Sequence, residues 1–261
     1  MTAQGLGPED THPMRILAID TSTSWCSVAL SFDGQIQHRH ELLGARASQH
    51  LLPWINELLD TVGAQHHDLD AIAVGIGPGA FTGVRLSVAI AQGLAVGAKR
   101  PVIPVASLDA MAMQVVQSQA FQASAPAADT QFSIALDARM GEVYWARYHV
   151  NPISNQPPKR IGEITLSNPE SINLDGLAYA AGNAFQEYPK ILESSPLKDR
   201  MDAQLVPNAL GILQWAQPLL NTKQMIAVEQ LEPLYIRNKV ALTTQERHAA
   251  THSTPTGHSV G

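Results

Sequence analysis

A single cysteine, Cys26, occurs in 261 residues, so the chain can form no internal disulfide and no paired-cysteine redox or zinc site. That usage fits a reducing compartment. Charge is also scarce at 15%, and it is unbalanced, with 17 basic against 23 acidic residues and a net charge of −6. Phosphate neutralisation supplies most of the affinity of proteins that grip nucleic acid. The chain carries no basic stripe, so any RNA it serves is held by another subunit. No apolar stretch reaches the roughly 18 residues of a membrane span. The first residues lack the basic region and apolar run of a secretion signal, and the expected location is cytoplasmic. No Gly-Lys-Ser/Thr triplet follows a glycine loop, which excludes a P-loop, and no G-x-S-x-G elbow supports a serine hydrolase.

What the chain does have is 45% apolar residues, enough for one large domain or two compact lobes. After a polar leader (1–13), expected to be disordered, MRILAID and WCSVALSF read as strands flanking a hydroxyl-rich turn. The Asp33-Gly34 turn leads to a third strand at 35–42, so three adjacent antiparallel strands are expected. A helix follows over 48–62, where Leu51, Ile55, Leu58, Leu59 and Val62 recur at helical spacing and Pro53 predicts a late start or a kink. AIAVG (71–75) reads as a buried strand and 84–98 as a second helix, with Thr82 as its N-cap. A strand is read at 101–105 and a helix at 108–119, and 118–130 reads as a loop. Residues 134–137 and 142–149 begin a second strand–turn–strand unit, 151–158 a turn, 179–181 a strand and 209–220 a helix. The order βββαβα, twice, predicts α/β lobes in tandem: 14–105, then 106–245 with a terminal helix able to pack back on the first. A polar tail (246–261) is expected to be disordered.

Three segments invite chemistry. Gly75-Ile76-Gly77-Pro78-Gly79-Ala80 fits a dinucleotide fingerprint, but Ala98-Lys99-Arg100-Pro101 stands where the ribose-binding acid belongs. A sharp turn with close backbone approach explains the glycines better. Asp20, followed by Thr21-Ser22-Thr23-Ser24, and Asp137, in Asp137-Ala138-Arg139, are candidate nucleotide contacts, with local turn bonding as the competing explanation. The ten histidines, His38, His40, His66 and His67 among them, lack metal-ligand spacing. In the second helix Ala89, Ala91, Gly93, Ala95 and Gly97 form a small-residue seam, suited either to the chain's own sheet or to a partner helix.

ILAIDTSTSWCSVAL (16–30), GIGPGAFTGVRLSVAIAQGLA (75–95), ALDARMGEVYWARY (135–148) and EPLYIRN (232–238) together resemble the TsaB (YeaZ) family over about residues 14–240. The resemblance implies an actin-like/sugar-kinase/Hsp70 fold and a subunit without catalysis or cofactor of its own. It implies pairing with TsaD, which forms N6-threonylcarbamoyladenosine next to the anticodon of tRNA, association with the ATPase TsaE, and self-pairing when alone. Contact with tRNA would be indirect. The relative's H-x-x-x-H metal motif falls here on Ser107 and Met111, a hydroxyl and a thioether that replace two imidazoles poorly. The first two helices are implied as half of a four-helix bundle, with Leu51, Ile55, Leu58, Leu59, Val84, Val88, Ala91 and Ala95 as the contact. Two further readings are a kinase or ATPase of the same fold, resting on Asp20 and Asp137, and a metallopeptidase, which would need the missing ligands.

Overall fold

The computed structural model describes residues 14–124, 129–151, 157–193, 195–220, 222 and 224–237. The leader, the tail and part of the 151–158 turn lie outside the described residues. β1 (Ile16–Asp20), β2 (Trp25–Phe32) and β3 (Gln35–Leu42) form an antiparallel meander. β4 (Ala71–Gly75) and β5 (Val102–Val105) join it in parallel, giving the order β3-β2-β1-β4-β5. β6 (Thr130–Arg139), β7 (Glu142–Val150), β8 (Lys159–Ser167), β9 (Tyr179–Ala181) and β10 (Met201–Asp202) repeat that order as β8-β7-β6-β9-β10. The duplicated topology is that of the actin-like fold.

The central strands are apolar throughout because helices cover both faces of each sheet. Leu17, Ile19, Val28, Ile72 and Val74 face α1 (Ala47–Thr61) and α2 (Phe81–Ala98) in one core. Their neighbours Ile16, Ala18, Ala29, Ala71 and Ala73 face α6 (Ala209–Ala216). Thus α6, from the end of the chain, packs on the first sheet, and it also packs on α3 (Ser107–Gln117). Phe132, Ile134 and Leu136 of β6 pack with Leu108, Met111 and Val115 of α3. Ala135 points the other way, toward Phe185 of α5 (Ala184–Glu187).

Several elements differ from the sequence reading. α2 starts at Phe81, with Ala80 rather than Thr82 at its cap. It ends at Lys99 in the left-handed conformation (φ 56°), where the Lys99 and Arg100 N–H groups return to Val96 and Ala95. α1 runs through Pro53 from Ala47. Residues 119–124 form α4 (Gln119–Ser124) instead of a loop, because buried Phe121 meets Phe132 and Tyr179 edge-on at 5.2 and 5.5 Å. β8 carries no apolar alternation, since it is an edge strand with only Ile164 buried. By length and composition α2 is long and apolar enough to cross a membrane, although one of its faces lies in the first-lobe core.

One buried ionic cluster ties α3 to the β7–β8 edge. Asp109 accepts from the Tyr148 hydroxyl at 2.7 Å and from Arg160 Nη1 at 2.9 Å to both oxygens. Burial raises the Asp109 carboxyl's pKa, and the Arg160 charge opposes that rise. Arg160→Met is expected to cost about 2–3 kcal/mol, at the low side of buried-pair losses because about a quarter of the Arg160 side chain is exposed. The check is a lowered urea midpoint with an unchanged denaturant slope.

Candidate functional site

The glycine-rich turn between β4 and α2 is shaped by backbone contact. A Cβ on Gly79 would lie 2.2 Å from the Ser22 carbonyl oxygen, and one on Gly83 1.9 Å from that of Thr21. Only glycine permits such approach. The Ala80 N–H donates to the Ser22 carbonyl at 2.7 Å, and the Thr21 hydroxyl donates to the Gly83 carbonyl at 2.6 Å. The fingerprint-like segment therefore clasps the hydroxyl-rich turn of its own chain. The place where a phosphate would meet the start of α2 is taken by Ser22.

The two aspartates occupy different settings. Asp20 is fully buried beneath Gly75, where a Cβ would come within 2.1 Å of its Oδ1. Its Oδ2 accepts from the Ser22 N–H and hydroxyl at 3.2 and 3.0 Å, while Oδ1 has no hydrogen-bond partner among the described residues. Burial pushes its pKa up to about 7. As a nucleotide contact Asp20 is corrected by this burial, since its carboxylate faces no open space. Asp137 instead lines an interlobe cavity of about 270 Å³ with Ser22, Thr23, Ser24, Trp25, Arg139 and Asn183. Its carboxylate is already taken by the Arg139 N–H at 2.9 Å, the Arg139 guanidinium at 3.2 Å and the Tyr188 hydroxyl at 3.1 Å. Its own N–H donates to Asn183 Oδ1 at 2.9 Å.

Ser107 and Met111 are fully buried at the start of α3; the Ser107 N–H donates to the Gly77 carbonyl at 2.8 Å and its hydroxyl has no partner among the described residues. Met111 packs in the second-lobe core. His40 stacks on Trp25 at 4.5 Å, and burial is the leading cause of its lowered pKa. Cys26 is buried, its thiol pushed up to about 12 chiefly by desolvation.

The eight side chains expected at a partner contact, Leu51, Ile55, Leu58, Leu59, Val84, Val88, Ala91 and Ala95, are all buried in the first-lobe core. They are the inner faces of α1 and α2, and this corrects their assignment. Periodicity marks an apolar stripe but cannot say what covers it. The outer face of α2 carries Phe81, Arg85, Ala89, Gly93, Val96 and Gly97, all exposed. A Cβ built on Gly93 or Gly97 meets nothing within 4 Å, so these two glycines answer to no packing demand among the described residues.

Residues 231–237 form a strap across the mouth between the lobes, a role that their sequence did not reveal. Gln92 donates to the Leu231 carbonyl at 3.0 Å, the Leu234 N–H to that of Ile76 at 2.8 Å, and Arg85 Nε to the Tyr235 hydroxyl at 2.8 Å. At its end Arg237 donates to the Ala138 carbonyl at 3.1 Å and to the Glu142 carboxylate. Arg85 and Arg139, which carried no assigned role in the sequence, are thus a strap anchor and an Asp137 clamp.

Comparison with known proteins agrees with this architecture. Residues 41–256 match the family described as TsaD, tRNA N6-adenosine threonylcarbamoyltransferase. A tRNA threonylcarbamoyladenosine biosynthesis protein TsaB of Escherichia coli is 37% identical over 231 residues, covering 87% of this chain and 96% of that protein. That of Haemophilus influenzae is 36% identical, covering 87% and 95%. The solved structure of YeaZ from Pseudomonas aeruginosa superposes with a TM-score of 0.75 at 33% identity, covering 85% of this chain and all of that one. The glycine clasp, the duplicated sheets and near-full-length similarity together place the chain in the TsaB (YeaZ) family.

Proposed function

We propose that this chain is a non-catalytic subunit that pairs with a TsaD-type paralogue in forming N6-threonylcarbamoyladenosine in tRNA, in the cytoplasm. The observation that carries the reading is the outer face of α2, where exposed Val96 and Ala89 flank two glycines that leave open space. Such a surface lets a second helix approach closely and gather dispersion contacts along the seam. The absence of own chemistry is supported by Ser107 and Met111, which stand in the core where the resemblance puts two imidazoles. Closure of the glycine turn on Ser22 argues the same way against a phosphate site. With a net charge of −6, the chain leaves tRNA to its partner. A TsaE-type ATPase joins the pair, and the free chain pairs with itself through the same face.

The test is reconstitution on unmodified tRNA. The chain alone is expected to yield no modified adenosine. Added to a TsaD-type protein, a TsaE-type ATPase and a threonylcarbamoyl-adenylate synthase, it is expected to restore formation. Full-rate modification without it would overturn the proposal.

A further inference from the structure

We infer that the partner surface does not stop at α2 but continues across the lobe boundary, onto the β6–β7 tip and the strap. There it takes a segment bearing an apolar or aromatic side chain next to a carboxylate. This rests on the pairing reading above and names a second part of the same partner's footprint.

The patch is built from three chain regions. Phe81 opens α2 with 45% of its surface exposed, Tyr235 of the strap has 48%, and Met140 at the β6–β7 tip has 80%. The rings of Phe81 and Tyr235 lie 6.0 Å apart, and the Arg85 guanidinium sits 3.7 Å over Phe81. Between them opens a cavity of about 200 Å³ with an apolar floor that includes Val84, Ala138 and Leu234. Large apolar groups exposed singly need no explanation, but Phe81 and Tyr235 line one hollow and Met140 sits against its lining residue Arg237, whose Nη1 donates to the Met140 sulfur at 3.3 Å. Aromatic, Met and Arg side chains are also the types enriched at protein interfaces.

The tip is held in an unfavourable shape. Arg139, Met140 and Gly141 have φ of 63°, 57° and 74° in succession, the left-handed region that side-chain-bearing residues avoid. The strap holds it there, with Arg237 donating to the Ala138 and Arg139 carbonyls at 3.1 and 3.4 Å. The outcome is a Met and an Arg presented outward. Strain kept by the surrounding structure gathers at functional surfaces.

Two observations choose the occupant. Arg139 and Arg237 line the hollow and Arg85 stacks on its Phe81, while Asp137 and Glu142 pair with the first two, a local excess of cation on an acidic chain. Among the described residues Arg85 meets a hydroxyl and ring faces, so a carboxylate would complete it. Phe81 and Arg85 also lie at four-residue spacing with Ala89, Gly93 and Gly97 on the exposed α2 face, so a helix seated on that face reaches the hollow. Three cations, two of them already paired with carboxylates of the chain, are too few to track an RNA backbone.

The experiment uses the full chain and its TsaD-type partner. Binding is titrated for wild type, Met140→Glu, Arg139→Glu and Gly93→Arg, with hydrogen exchange on the free and paired chain. Met140→Glu is expected to weaken pairing tenfold or more with unchanged melting, Arg139→Glu to weaken it as much while melting lower through loss of its Asp137 pair, and amides 138–142 to slow on pairing. If Gly93→Arg abolishes pairing while both tip variants stay within twofold and exchange at 138–142 is unchanged, this extension is wrong and the α2 reading stands. If Gly93→Arg pairs normally, the α2 reading fails, and a tenfold loss in the tip variants would still establish the tip as a contact. Binding of tRNA by the free chain, lost in Met140→Glu, would overturn the choice of a protein occupant.

Discussion

Gly93→Arg is expected to abolish pairing with a TsaD-type protein, by a hundredfold or more, while the isolated chain melts at the same temperature or slightly higher. Gly93 is exposed within α2, and a Cβ there touches nothing. Replacing a mid-helix glycine with a good helix former favours the helix by about 0.5–1 kcal/mol. The same guanidinium would stand in the path of a closely packed partner helix. Ala91→Arg, two residues away, is expected to do the opposite. Ala91 is fully buried among Leu17, Val74 and the rest of the first-lobe core, and an unpaired charge there costs several kcal/mol, enough to unfold the chain. The pair of variants is read by thermal melting and co-purification. An Ala91→Arg protein that folds normally, or a Gly93→Arg protein that pairs normally, would put α2 the other way round.

The second large effect concerns Asp20. Its pKa is raised by burial from the ordinary carboxylate range to about 7, so the sign is opposite to that of a salt-bridged acid. Below about pH 4 the carboxyl is protonated in folded and unfolded chains alike. Between about pH 4 and 7 only the folded chain keeps the proton, so stability falls as pH rises. Above pH 7 the group is charged in both states and the full penalty persists. Asp20→Asn keeps an acceptor for the Ser22 N–H and hydroxyl but cannot ionise. Its stability relative to wild type is expected to rise between pH 4 and 7 and then level off, by a few kcal/mol with a ceiling of about 4. Urea midpoints of both proteins at pH 5 and pH 8 give the difference directly. An equal offset at the two pH values would mean that Asp20 is ionised in the fold at both. Pairing should not respond to this variant, because Asp20 lies beneath Gly75 and away from the α2 surface.

Much of the fold was legible because the signals are local. The β1–β3 meander follows from two apolar runs and an Asp-Gly turn, and the doubled order follows from a second run of the same kind at 134–149. Elements decided by one distant contact were not legible. Helix α4 depends on Phe121 meeting Phe132 and Tyr179, and β8 is specified by pairing to β7 rather than by its own alternation. The site divided along the same line. Close backbone approach at the glycine turn was readable, since little else needs glycine at that density. The partners of Arg85 and Arg237 were not, because they lie 150 and about 100 residues away along the chain.

The amino-acid order by itself determined which residues are apolar at helical and strand period, where the chain turns, and which imidazoles are missing. Those properties belong to single residues and near neighbours, so they survive without a fold. Only the tertiary structure decided which face of α2 is inward, that Asp20 is sealed while Asp137 lines a cavity, and that the strap ties the two lobes. Burial is a property of what packs on a residue, and here the covering groups come from α6, β4 and residues 231–237, far away in sequence.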